Sequence, residues 1–198
     1  WMNPSLKSIV LPDQLEILPQ GALTGYSQLT SVTLGSRTKA LDTQALNGTA
    51  IREINLPNGL TYLGDEVFRA TYLQHIILPD TVEVIGAKAF AESQIDRVAL
   101  PAALTFLGEN AFANCLSLTS AHLSAGIAKI PANTFQNCEA LTDVQIPEGI
   151  REVGKQAFAD CSALLYLALP DGMTTLDGYA FANCTALKVV RVPSSVIS

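Results

Sequence analysis

The sequence predicts an α/β solenoid, a stack of near-identical coils in which each coil contributes one short strand to a parallel sheet and one helical turn elsewhere on its circuit. Three observations predict it. A large apolar residue closing an Ala-Phe pair or its equivalent recurs at Leu23, Leu46, Phe68, Phe90, Phe112, Phe135, Phe158 and Phe181, always 22 or 23 residues from the last. A segment of the form L-x-x-V/I-x-L keeps step with it, and Pro or a small substitute follows each segment. A fixed period of this length is the signature of stacked units, because a unit so short cannot bury its own apolar face and must bury it against a neighbour.

The strand comes first in each repeat. It reads LKSIVL from Leu6, LTSVTL from Leu29, IREINL from Ile51, LQHIIL from Leu73, IDRVAL from Ile95, LTSAHL from Leu118, LTDVQI from Leu141, LLYLAL from Leu164 and LKVVRV from Leu187. Nine strands are therefore expected, each with its central apolar residue turned inward and the two flanking residues turned outward. Pro12, Pro57, Pro79, Pro101, Pro147, Pro170 and Pro193 then end the strand, with Gly35 and Ser124 in the same place. Pro followed by Asp, Asn or Glu and then Gly is turn chemistry, one residue presetting φ and the other supplying a positive φ.

Two apolar residues three apart come next, as in Leu60 and Leu63, Val82 and Ile85, or Ile150 and Val153, and predict a second short extended piece. It is often closed by glycine, at Gly64, Gly86, Gly108 and Gly154. A helical turn carrying the Ala-Phe pair is expected after it. The single-residue variation in period falls in the return loop: Cys115–Leu118 has two intervening residues where Thr49–Ile51, Thr71–Leu73 and Ser93–Ile95 have one. Loops tolerate such changes best.

Cys115, Cys138, Cys161 and Cys184 all sit three residues after a Phe, in the slot that Tyr26, Thr49, Thr71 and Ser93 fill in earlier repeats. They are read as small core fillers that form an interior column, one thiol per coil, with coils about 4.8 Å apart. A linear stack cannot surround a tetrahedral metal ion, and the chain has no C-x-x-C pair. Side chains superposed in register point the same way, which opposes the torsion near 90° that a disulfide needs. No neighbouring base or cation in the pattern would activate a thiol.

Composition excludes other classes. The 198 residues are 48% hydrophobic and 15% charged, enough to bury a core, and the net charge of -6 with a pI near 4.8 opposes binding to a polyanion. No nucleic-acid partner is expected, and no apolar run approaches the roughly 20 residues of a membrane-crossing helix. Phosphate-loop glycine patterns are absent from the sequence, and no cofactor is expected. His75 and His122 are placed in strands, facing outward in different columns two strands apart, too far to share a metal.

The unit L-x-x-V/I-x-L-P-x-x-L/V/I-x-x-I/L/V-G-x-x-A-F-x-x-C/S/T resembles the BspA-like leucine-rich repeat, a class found in bacterial surface proteins and in some protist proteins. The resemblance covers essentially the whole chain; it departs at Leu23 and Leu46 in the Phe slot and at Pro131 and Asp177 in the Gly slot. It implies a right-handed leucine-rich-repeat solenoid with a parallel sheet on one face, of eight full repeats plus partial terminal repeats. It also implies a role in adhesion or protein binding rather than catalysis, at a cell surface or secreted.

Residues 1–198 are read as a single solenoid domain, and as a fragment of a longer array because both ends fall inside a repeat, Trp1 belonging to a preceding one. The outward strand positions vary while the frame does not. If a protein or glycan ligand, such as a host matrix or cell-surface molecule, docks on the sheet, the candidate contacts are Glu53, His75, Arg97, His122, Asp143, Tyr166 and Arg191. The alternative is a structural stalk that presents another domain.

Overall fold

In the computed structural model, which describes residues 3 and 5–197, every repeat makes one coil and lays its strands parallel to those of the next. The first strands are β1 (Ser8–Val10), β3 (Ser31–Thr33), β7 (Arg97–Ala99), β9 (Ser120–His122), β11 (Asp143–Gln145), β13 (Tyr166–Ala168) and β15 (Val189–Arg191). The second extended pieces are also strands: β2 (Ile17–Leu18), β4 (Ala40–Leu41), β5 (Tyr62–Leu63), β6 (Val84–Ile85), β8 (Phe106–Leu107), β10 (Lys129–Ile130), β12 (Glu152–Val153) and β14 (Thr175–Leu176). Like positions pair with like, as Val98 with Ala121 and Ala121 with Val144. Trp1 lies outside the described residues.

Two expected strands do not form. Residues 53–57 and 75–79 belong to no strand, and among the described residues their main chains make no ladder with each other or with β3 and β7. Single rungs hold their entrances, Gln74 N–H donating to Arg52 C=O at 3.0 Å and Asp96 N–H to Gln74 C=O at 3.1 Å. Three successive junctions of the first sheet are thus open, and they are the three whose return loop is one residue shorter. The first sheet opens again between β11 and β13, and the second sheet between β8 and β10. These openings are staggered, so at every junction at least one sheet is bonded.

The expected helical turn is also corrected: no α-helix occurs among the described residues. Alternate N–H groups in this part of the coil point to the next coil, Leu46 N–H to Val67 C=O (3.1 Å), Phe68 N–H to Ala89 C=O (2.8 Å) and Phe90 N–H to Ala111 C=O (2.8 Å). The intervening ones close β-turns, as Ala45 N–H to Asp42 C=O (3.0 Å) and Asn47 N–H to Gln44 C=O (3.2 Å). An α-helix needs every N–H for its i→i−4 ladder. A third ladder therefore runs from coil to coil where a helix was expected, bent by left-handed residues such as Gln44, Glu66 and Lys88 (φ 54–57°).

Inside, the Phe rings form one stack with centroids 5.3–5.8 Å apart and planes within 19° of parallel. Leu23 and Leu46 continue the buried column towards the amino end. Offset stacking of this kind adds about 0.5–1.5 kcal/mol per pair to the area each ring buries. The glycines at 64, 86, 108 and 154 allow close approach, since a Cβ on Gly64 or Gly86 would stand 2.5 Å from a backbone nitrogen of the preceding coil.

Candidate functional site

The outward residues of the first strands form two columns. One carries Ser8, Ser31, Glu53, His75, Arg97, Ser120, Asp143, Tyr166 and Val189; the other carries Val10, Thr33, Asn55, Ile77, Ala99, His122, Gln145, Ala168 and Arg191. Ser120 apart, the period-two alternation leaves the column residues exposed, with the central residue of each segment buried or, at Ile9, Ile76, Val144 and Val190, half-buried.

Where the ladder is missing between residues 53–58 and 75–79, the face dips into a groove of about 330 Å³. Glu53, Asn55, Asn58 and His75 supply its polar groups, and Ile54, Leu56, Ile77 and Pro79 its apolar ones. Ile77, 86% exposed, stands at its edge. The groove is closed at one end by the Gln74–Arg52 rung and at the other by Thr81, whose hydroxyl oxygen lies 2.8 Å from Asn58 C=O and 2.7 Å from Leu60 C=O and shares its one hydrogen between them. Between these ends the main-chain groups of residues 53–56 and 75–78 have no hydrogen-bond partners among the described residues, while Pro57 C=O and Pro79 C=O accept from Leu60 N–H and Val82 N–H.

Beside the groove, Asp96 holds two of the candidate residues at once. His75 Nδ1 is 3.0 Å from Asp96 Oδ1, and Arg97 Nε is 3.6 Å from Asp96 Oδ2. His75 lies in one of the unladdered segments rather than in a strand, which corrects its expected placement. His122 ends β9 and sets Nε2 3.5 Å from Asp143 Oδ2 on the next strand. Tyr166 and Arg191 stand further along, on β13 and β15. Arg191 lines a second groove of about 180 Å³ with Ile146, Glu148 and Asp171, at the other opening of the first sheet.

The structure thus brings Glu53 and His75 into one groove, ties His75 and Arg97 to one carboxylate, and joins His122 to Asp143. Tyr166 begins β13, three coils beyond Arg97, about 14 Å at the usual strand spacing. Asp96 was missed by sequence reasoning, although it adjoins Arg97 and lies about one repeat after His75. The shortened return loops were the sequence signal for the groove.

The cysteines form the expected column. Each Sγ lies against the carbonyl of the Phe in the preceding coil: Cys115 with Phe90 (3.1 Å), Cys138 with Phe112 (3.2 Å), Cys161 with Phe135 (3.2 Å) and Cys184 with Phe158 (3.0 Å). All four are free thiols. Burial pushes the thiols of Cys115 and Cys161 up to about 12, and raises those of Cys138 and Cys184. A nucleophilic cysteine needs the opposite shift.

The pattern of the BspA type leucine-rich repeat region matches residues 1–119 and 105–198, in six copies. No curated protein matches the chain. Among solved structures, a leucine-rich repeat protein from Bacteroides ovatus is 21% identical with a TM-score of 0.75, over 98% of this chain and 56% of that one. The leucine-rich repeat protein of T. pallidum is 27% identical with a TM-score of 0.71, over 79% of this chain and 77% of that one. The pneumococcal vaccine antigen PcpA is 19% identical with a TM-score of 0.61, over 94% of this chain and 56% of that one. The chain therefore spans little more than half the length of two of these three.

Proposed function

The chain belongs to the BspA type leucine-rich repeat family, a protein-interaction scaffold, and from that premise we propose that it is a non-catalytic recognition module binding a protein or glycan through the exposed face of its first sheet. Its place in this reading is a cell-surface or secreted adhesin-like protein, a location taken from the family.

One observation carries the reading: the groove between residues 53–58 and 75–79 opens on the varied face, with unpaired main-chain groups, amides, a carboxylate and an imidazole converging beside apolar walls. A few oriented polar groups on an apolar floor are what small recognition sites share. Next to it, Asp96 sets a carboxylate 3.0 Å from His75 Nδ1 and 3.6 Å from Arg97 Nε, so the two exposed side chains gather round one charge at the edge of the groove. Tyr166, 54% exposed, supplies an aromatic anchor further along the face.

The test is an array of immobilised host matrix proteins and glycans, probed with this chain and with the Glu53→Ala, Arg97→Ala and Tyr166→Ala variants. Loss of about 1–2 kcal/mol of binding in the variants, with unchanged melting temperature, supports the reading. Equal binding by all four moves the site off this face. The stalk is the second reading, favoured by the third ladder that joins successive coils from residue 21 to residue 182; it predicts no captured ligand from the array.

A further inference from the structure

We propose that the second sheet is a self-association surface, on which two copies of this chain pack face to face with their solenoid axes antiparallel. The register of β2, β4, β5, β6 and β8 sets Ile17, Ala40, Tyr62, Val84 and Phe106 side by side on five consecutive strands. Ile17 and Phe106 are each 54% exposed and Tyr62 is 37% exposed, with Ala40 and Val84 half-buried between them. The apolar column is about 19 Å long at the usual strand spacing. It ends where the sheet ends, because the same position becomes Lys129, Glu152 and Thr175 in the separate sheet of β10, β12 and β14. An exposed apolar column of this kind, bordered by charges, marks an interaction surface.

A second copy fits it because the column is complementary to itself. A two-fold axis parallel to the strands and passing by Tyr62 reverses the order of the coils. It sets Ile17 against Phe106 of the second copy, Ala40 against Val84 of the second copy, and the two Tyr62 rings against each other on the axis. Isologous contacts require this kind of reciprocal match.

The charges beside the column obey the same rotation. One position earlier on each strand stand Glu16, Lys39, Thr61, Glu83 and Thr105, and the axis brings Lys39 opposite Glu83 of the second copy, twice per dimer. Glu83 is exposed and has no ion-pair partner within the described residues. Lys39 Nζ is 3.0 Å from Glu16, but Arg37 also reaches Glu16 at 3.2 Å, so Glu16 stays paired when Lys39 turns to the second copy. Two columns of five residues make a small interface, at or below the lower end of the range for stable complexes, roughly 1,200 Å² in total. The association is accordingly weak, with a Kd on the order of 10–100 µM. The first sheet and its groove are left free, so this proposal and the recognition face are independent.

Sedimentation velocity on the chain from about 5 to about 500 µM tests it, with a concentration-dependent monomer–dimer equilibrium expected. Tyr62→Glu, which puts like charges on the axis at an exposed site, is expected to raise Kd at least about tenfold with unchanged melting temperature. Lys39→Glu and Glu83→Lys each weaken self-association by roughly fivefold or more, while a mixture of the two forms a heterodimer, since each supplies the charge the other has lost. A monomer at all concentrations overturns the proposal. So does a dimer that Tyr62→Glu leaves intact, or a mixture that associates no better than either variant alone.

Discussion

Cys138 Sγ lies 3.2 Å from the carbonyl oxygen of Phe112, 26 residues earlier in the chain, and donates its hydrogen to it. Because Cys115, Cys161 and Cys184 repeat the contact with Phe90, Phe135 and Phe158, the thiols are neutral hydrogen-bonding members of the core. The unfolded chain ionises its thiols from about their ordinary value of 9.0, while burial holds Cys115 and Cys161 neutral to about 12. The stability they contribute is present below pH 9 and is lost as pH rises towards 12. Urea melts at pH 8 and pH 10.5 are expected to show that loss, and a variant with Ser at 115, 138 and 161 to show less of it. At pH 8 a thiol reagent is expected to modify only the half-buried Cys184 in the folded protein.

Gly86 and Gly59 are predicted to respond oppositely to Ala. A Cβ at Gly86 would stand 2.5 Å from Asp65 N in the preceding coil, whereas one at Gly59 meets nothing within 4 Å. Gly86→Ala is expected to cost more than about 2 kcal/mol, because the clash is with backbone that cannot rotate away. Gly59→Ala is expected to be neutral or stabilising by up to about 0.5–1 kcal/mol through the unfolded state. Thermal melts of the two variants compare them directly.

Ala70 is exposed and holds a φ of 54°, in the left-handed region. The equivalent position in earlier coils is Gly25 and Gly48, with φ of 74° and 68°. A Cβ in that conformation costs about 1–2 kcal/mol, partly offset by the greater freedom of glycine when unfolded. Ala70→Gly is expected to raise stability by about 0.5–1 kcal/mol. A drop in the denaturation midpoint would contradict it.

Glu66 anchors a surface network. Its Oε2 accepts from Arg69 at 3.1 Å and from Gln44 and Asn47 at 3.3 Å each, and Arg69 reaches on to Glu92 at 2.9 Å. Burial raises the Glu66 carboxyl, but hydrogen bonds from Arg69 and Gln44, and the charges of Arg69 and Lys88, outweigh it and hold the group below its ordinary 4.5. The stability this contributes is present above pH 4.5 and is lost as pH falls through the lower folded value. Glu66→Gln is expected to cost about 0.5–1 kcal/mol at pH 7 and progressively less as pH falls below 4.5, in paired denaturation curves.

What the sequence determined alone was whatever repeats from coil to coil: the period, the inward Leu, Ile and Phe slots, the second extended piece and the column of cysteines. Stacked units superpose like residues, so a period in the chain becomes a row in space. The tertiary structure decided what depends on the contact between two coils. Phe68 and Phe90 belong to a third ladder instead of a helix because their N–H groups face the carbonyls of the next coil, which no local pattern encodes. The groove between Glu53 and His75 lies where the ladder is missing beside return loops one residue short, and Asp96 joins His75 to Arg97 across a coil boundary. Ile17, Tyr62 and Phe106 face outward by the same alternation as in the first strands, each preceding an inward slot; the structure decided that they share one unbroken five-stranded sheet.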